Sequence, residues 1–221
     1  SIDAPMYPVE LRWEPPEAEG ALASLVDKVA EIVFAIEKKG GPGDVLVFLM
    51  GELAIKECLQ RLADGDPDER LQLLPLYARL SHEEQQRVFL DFPGRRKVIV
   101  ATNMAETSVT IDGVTHVVDS GLARMASHAP WSGLPTLRQV SVSRSSALQR
   151  TGRAGRTRPG RCVRLYTETD FLRRPEHDDP EIRRADLAEL VLQMRALGVA
   201  DVSAFGWFEL PPPRSLDAAV V

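Results

Sequence analysis

Gln149-Arg150-Thr151-Gly152-Arg153-Ala154-Gly155-Arg156 packs three arginines and two glycines into eight residues. It lies within a longer segment, residues 120–167, that holds nine arginines and no Asp or Glu. The whole chain has a formal net charge of −5, so the residues outside that segment carry −14. Positive charge is therefore gathered in one place against an acidic background, as a polyanion-binding site requires. A spacing of three puts Arg150, Arg153 and Arg156 on one face of a helical turn, three guanidiniums pointing the same way and repelling one another. Gly152 and Gly155 each cost on the order of 1 kcal/mol against Ala inside a helix. Such glycines make sense where the backbone must approach a ligand closely, and phosphate is the anion that best matches planar guanidinium forks. The plainer alternative is a solvated basic face; the interleaved glycines and the missing acids weigh against it.

Working outward, 221 residues with 44% apolar content suffice for one full α/β core and a small appendage. No apolar run approaches the roughly 18 residues of a membrane span, and the N-terminus shows no basic and apolar leader. Cys58 and Cys162 are too few and too isolated for a disulfide framework or a metal site. Two small buried residues in a reducing cytoplasm are expected.

Residues 7–13 read as an extended segment and residues 14–20, rich in Pro and Glu, as a surface linker. Apolar residues at 22, 25, 26, 29, 32, 33 and 36 predict an amphipathic helix, stopped by Gly40-Gly41-Pro42-Gly43. Val45-Leu46-Val47-Phe48-Leu49-Met50 is continuously apolar, the pattern of a strand buried on both faces of a parallel sheet. Gly51 follows, and a helix from Glu52 would leave backbone N–H groups free for an anion. Further strands are expected over residues 71–76, 97–101, 114–119 and 161–166. Ser81 and Glu84 form a capping box that opens a helix reaching residue 89 or 90. A hairpin or long ordered loop is expected over 122–142, and a helix from 181 ended by Gly198. Strands alternating with helices give an α/β fold with a parallel sheet.

The 97–101 strand runs into Thr102-Asn103-Met104-Ala105-Glu106-Thr107-Ser108-Val109-Thr110-Ile111-Asp112-Gly113. Hydroxyls and carboxylates gathered at the carboxyl end of a parallel strand are where α/β sheets place ligands. Turn chemistry and helix capping explain the same residues without a ligand.

The Gln149–Arg156 stretch resembles motif VI of superfamily 2 helicases, and specifically of the DEAH-box group, in which it reads Q-R-x-G-R-x-G-R. Residues 102–113 closely resemble motif V of that group, and Gly51 after its strand resembles motif IV. Pro75-Leu76-Tyr77, residues 84–89 and Ser143-Arg144-Ser145-Ser146-Ala147 add to the likeness, which covers roughly residues 7–217 with the motifs in family order. The bacterial HrpA/HrpB-type branch is the nearest in pattern. Two departures stand out: Glu52 follows Gly51 where the family often has Gln, and Ala129-Pro130-Trp131-Ser132-Gly133 lacks the family's Tyr-x-Pro.

The resemblance implies a RecA-like domain of the P-loop NTPase type, a parallel sheet flanked by helices with an inserted β-hairpin. It implies an N-terminal segment and linker over 1–20, the RecA-like domain over 21–176, and the truncated start of a winged-helix region over 177–221. It also implies roles. Arg153 and Arg156 would be arginine fingers, and Gln149 would place the attacking water. Ser108 and Thr110 would face the γ-phosphate and the waters of Mg2+, Asp112 would meet the ribose, Phe89 would stack on the base, and Gly152 would approach the nucleotide. Gly51, Thr102, Asn103 and Arg144 would meet RNA.

The chain carries neither a G-x-x-x-x-G-K-[ST] loop nor an Asp-Glu-Ala-His box, so ATP and Mg2+ would be held mainly by a first RecA-like domain, and this chain is expected to be inactive alone. It is expected to be an excised piece, monomeric, cytoplasmic and not bound to a membrane. Its partners would be RNA and that first domain. A non-catalytic RNA-binding module, an arginine-finger activator acting in trans and a DNA helicase stay open at this stage, the last because phosphate contacts do not read the 2′-hydroxyl.

Overall fold

A computed structural model describes residues 7–18, 20–107, 111–128, 135–183 and 187–220. The chain divides into two compact units. The first runs to Ala123 and resumes over Val140–His177; the second comprises Arg124–Gln139 and Asp178–Val221.

The first unit is built on a six-stranded sheet. Its strands are β1 (Val9–Trp13), β2 (Asp44–Phe48), β3 (Leu71–Leu76), β4 (Arg96–Ala101), β5 (Val114–Asp119) and, late in the chain, a strand over Gly160–Arg164. Two further strands intervene in sequence, β6 (Leu122–His128) and β7 (Pro135–Ser141), so the late strand is β8. The sheet order is β1-β8-β5-β2-β4-β3 and every neighbouring pair is parallel.

The uninterrupted apolar run of β2 is explained by this position, since side chains alternate across a sheet and both faces here are covered. Val45, Val47 and Leu49 join a core with Val98, Val100 and Val118 beneath the helices α1 (Leu22–Lys39) and α2 (Glu52–Asp64). Leu46 and Phe48 point the other way, into a second core with Ile99, Ala101, Val117 and Cys162. That second face carries the motif-bearing segments, because Val88, Ala105, Ile111 and Ala154 pack there. Both cysteines are buried, and burial pushes each thiol up to about 12.

Residues 7–13 are more than an extended lead-in. Strand β1 forms the sheet edge, paired with β8 from Val9 opposite Gly160 to Trp13 opposite Arg164. Its middle residues are exposed, which hides it from a hydropathy reading.

The capping box is present: Ser81 accepts from the Glu84 N–H, and the Glu84 carboxylate accepts from the Ser81 N–H at 2.9 Å. The helix it opens is shorter than its sequence suggested, α3 (His82–Gln86), and tightens into a 3-10 turn over Arg87–Phe89. After β4 come α4 (Met104–Thr107) and, following the hairpin strands, α5 (Arg144–Gly152) and α6 (Glu168–Arg173). Helix α6 is capped by the Thr167 hydroxyl and is too short to show a periodicity.

His116 sits in β5 with its Nδ1 2.9 Å from the Thr115 hydroxyl. Burial, helped by the nearby Arg96 and Arg161 guanidiniums, pulls its imidazole down to about 4. An unfolded histidine takes up its proton near pH 6.5. Protonation therefore favours the unfolded chain as pH falls from about 6.5 to about 4, and this contribution is flat outside that window. Urea midpoints measured across the window are expected to fall less steeply for His116→Gln than for the wild type.

In the second unit β6 and β7 form a two-stranded sheet, and the tip residues 129–134 lie outside the described residues. The expected helix from 181 is a 3-10 turn over Glu181–Arg183 followed by α7 (Ala188–Ala196); residues 184–186 lie outside the described residues. With α8 (Pro213–Val220), α7 forms a small core of Leu187, Val191, Met194, Val202 and Leu216. Among the described residues no helix is long and apolar enough to cross a membrane.

Candidate functional site

Helix α5 is capped at its start by Ser143, whose hydroxyl accepts from the Ser146 N–H at 3.2 Å. It ends at Gly152 and passes into a 3-10 turn, Arg153–Gly155. This break decides where the arginines go. Arg150 lies on the inner face of α5 with Ser146 and Ala147, and it is fully buried. Its Nη1 donates to Asp119 Oδ1 at 2.8 Å and to the Leu122 carbonyl at 3.3 Å, and its Nε donates to Glu106 Oε2 at 3.1 Å. The guanidinium also lies 4.8 Å from the centre of the Phe48 ring. The expectation of three guanidiniums on one face is thus corrected: Arg150 is a core cation neutralised by acids from β5 and α4, and two arginines remain.

Arg153 and Arg156 line an open depression of about 500 Å³ with Thr107, Leu148, Gln149 and Gly152. They also border a small crevice with Leu46, Ile111 and Val114, which sets them beside the turn that holds Asp112. Arg153 is 7% exposed, whereas Arg156 is exposed. Burial, reinforced by Arg156 and opposed by Glu106, lowers the Arg153 guanidinium to about 10. A cation held at a cost by desolvation and a like charge gains from an arriving anion, which is the electrostatic condition for a phosphate site.

The glycines separate in role. Gly152 lines the depression. At Gly155 the close approach is to the chain itself: a Cβ there would stand 2.6 Å from the Tyr7 carbonyl oxygen, and the Tyr7 N–H donates to the Gly155 carbonyl at 2.9 Å. This glycine admits the lead into the edge strand, not a ligand.

The acid-free segment is also less free than its composition implied. Arg161 is paired with Glu10 at 2.8 Å, and Arg144 Nη2 is 3.9 Å from Glu176. Arg164 is 1% exposed, with its guanidinium 4.3 Å from the Phe171 ring centre and 4.8 Å from that of Trp13. It donates to the Ala147 carbonyl and the Thr151 hydroxyl, so it braces α5 from below.

Asp112 is exposed in the turn before β5, and Gly113 next to it accepts from the Asp44 N–H at 2.8 Å. Phe89 is 46% exposed while its neighbour Val88 is buried, which disposes of a core role for that ring. Ser108 and Thr110 lie outside the described residues. Gly51 caps α2 at the carboxyl end of β2, and Thr102 and Asn103 follow β4, the adjacent parallel strand. Thr102 is half-buried and Asn103 exposed; the Thr102 and Asn103 carbonyls accept from Ala105 and Glu106, so turn chemistry is present here too.

Two residues went unnoticed in the sequence. Lys97 is buried within β4, and Asp44 opens β2; a lysine flanking an apolar strand gives no signal of burial. Among the described residues no group of three or more His, Cys, Asp or Glu lies together to hold a metal ion.

The helicase conserved C-terminal domain matches residues 24–158. Over 219 residues the chain is 42% identical to the ATP-dependent RNA helicase DEAH12, chloroplastic, of Arabidopsis thaliana, covering 97% of this chain and 12% of that protein. Over 216 residues it is 41% identical to the ATP-dependent RNA helicase HrpA of Escherichia coli, covering 97% of this chain and 16% of that protein. The crystal structure of the Escherichia coli DEAH/RHA helicase HrpB superposes with a TM-score of 0.88 at 35% identity, over 99% of this chain and 27% of that one. The chain thus spans a small fraction of the length of the relatives it matches. The parallel sheet, the order of its motifs and these likenesses agree: the chain has the RecA-like fold and belongs to the DEAH-box family, as its conserved C-terminal helicase domain.

Proposed function

We propose that this chain is the second RecA-like domain of an ATP-dependent RNA helicase, supplying arginine fingers and backbone contacts that couple ATP hydrolysis to movement along RNA. The observation that carries the reading is the placement of Arg153 and Arg156 around one open depression, with Gln149 on its rim and the Asp112 turn beside them. ATP would occupy a cleft against a first RecA-like domain. Arg153 and Arg156 would offset charge on the transferring phosphoryl group, and Gln149 would orient water. The exposed ring of Phe89 suits a base, and the exposed carboxylate of Asp112 suits ribose hydroxyls. Gly152 leaves room at the depression for the nucleotide. Ser108 and Thr110 keep their proposed places toward the γ-phosphate and Mg2+ on the motif likeness alone, with the metal held mainly by the first domain.

Gly51, Thr102, Asn103 and Arg144 would meet the RNA strand, the first two from the carboxyl ends of adjacent strands. Such contacts touch phosphate and sugar, not base edges, so binding would be sequence-tolerant. Residues 177–221 would open a winged-helix region. A monomer in the cytoplasm, free of membrane, completes the proposal, and the chain by itself would not turn over ATP.

The test uses the full-length protein. ATP turnover is expected to rise on adding single-stranded RNA, with RNA affinity falling steadily as salt rises between about 50 and 200 mM. Turnover indifferent to RNA at every salt concentration overturns the reading; equal stimulation by DNA of the same sequence removes only the preference for RNA.

A further inference from the structure

We infer that Lys97 is a positioning residue for nucleotide binding, its buried ammonium fixing the turn that presents Phe89. The inference rests on the proposed reading of Phe89 and Asp112 as base and ribose contacts. Lys97 is 4% exposed, in a strand whose following four residues are apolar or small and buried. A lysine ammonium loses its hydration there, so an apolar residue would serve the core better unless the charge has a task. Its partners indicate the task. Nζ donates to the Val88 carbonyl at 2.9 Å and to the Leu90 carbonyl at 3.2 Å, the carbonyls of the two residues on either side of Phe89. The first lies within a 3-10 turn of three residues and the second at its C-cap, and in so short a turn hydrogen bonding is sparse and the backbone has little rigidity of its own. Val88 anchors the turn in the core, which leaves the direction of the exposed Phe89 ring to be set by the two carbonyls.

Asp44 extends the link. Its Oδ2 lies 3.7 Å from the Lys97 ammonium and its Oδ1 accepts from the Lys97 N–H at 3.1 Å. Its own N–H donates to the Gly113 carbonyl at 2.8 Å, beside Asp112. Gly113 has φ +88°, and a Cβ on it would stand 2.9 Å from Asp44 Oδ2, so a side chain there would push the carboxylate away. One lysine and one aspartate, on adjacent strands, thus tie the turn carrying Phe89 to the turn carrying Asp112. No residue of the pair needs to touch the nucleotide.

The experiment is a double-mutant cycle in the full-length enzyme, read as KM for ATP and kcat at saturating RNA. Lys97→Met is expected to raise KM by about 3- to 10-fold, the size of one aromatic contact, and to leave kcat within about twofold. In a Phe89→Ala background the same substitution is expected to add nothing beyond about twofold, because the group it orients is already gone. An unchanged KM, a fall in kcat alone, or an equal rise in both backgrounds overturns the inference; the last is what general loosening of the fold produces. Phe89→Ala alone keeps the two readings apart, since an unchanged KM there defeats the base contact itself. Should Lys97→Met fail to fold, Lys97→Arg, whose broader fork cannot meet both carbonyls in the same space, is read by the same criteria.

Discussion

Full-length enzyme carrying Arg153→Ala is expected to turn over ATP about 10³- to 10⁵-fold more slowly, with KM for ATP and affinity for RNA within about threefold of wild type. The argument starts from cost. Arg153 is nearly buried beside a second guanidinium, an arrangement that favours losing the proton and has lowered it to about 10. It is still charged at neutral pH, so the charge is held ready and poorly solvated. Such a group stabilises negative charge that develops later far better than a hydrated surface arginine does, because little water has to be displaced when the charge arrives. Arg156, exposed on the same depression, should show the same direction with a smaller loss. Lysine at 153 should not rescue, since a compact ammonium lacks the planar fork that meets two phosphate oxygens. Single-turnover rates with ATP, alongside RNA titrations, make the measurement. Loss of RNA binding with ATP turnover intact would reassign these arginines to the nucleic acid.

The fold was legible wherever burial was two-sided. Strands β2 and β4 announced themselves through apolar runs because helices cover both faces of the sheet, and the Gly40 stop and the Ser81 capping box marked helix ends through local chemistry. What failed was inference from spacing across a change of helix type. The regular Arg150, Arg153, Arg156 series assumed one continuous helix, whereas α5 tightens after Gly152 and turns the first arginine inward. No rule of composition could show that Asp119 and Glu106, distant in sequence, would be the acids that receive it. Gly155 was misassigned for a related reason, as the backbone it admits belongs to the far N-terminal end of the chain. Lys97 left no trace because a charged residue at a strand end is ordinarily solvated. The residues proposed to face ligands were readable as motifs, while the residues that brace them depend on tertiary contacts.

Those braces set the second large effect. Asp119→Ala is expected to destabilise the 221-residue chain by about 3–5 kcal/mol, read as a shift in the urea midpoint. Asp119 is fully buried; its Oδ1 accepts from Arg150 Nη1 at 2.8 Å and from the Gly121 N–H at 2.9 Å, and its Oδ2 accepts from the Tyr166 hydroxyl at 3.0 Å. Burial, with Asp119 next to it, pushes the Tyr166 phenol well up, so that hydroxyl stays a donor. For Arg150, burial works against the cation, and Asp119 and then Glu106 more than restore it. Removing the carboxylate strands a guanidinium with Glu106 as its remaining ionic partner and leaves two further donors unmet. Asp119→Asn, which keeps shape and an acceptor, should fall between. Asp119→Leu combined with Arg150→Met discriminates the cause: if the loss comes from an uncompensated buried charge, the double substitution recovers much of the stability that either single one loses. Recovery of stability without recovery of ATP turnover in the full-length enzyme would then show that the pair is kept for the placement of α5, since Arg150 links the motif at residues 102–113 to the helix that carries Gln149 and leads into Arg153. A double substitution no more stable than Asp119→Ala would instead locate the cost in the Gly121 and Tyr166 hydrogen bonds.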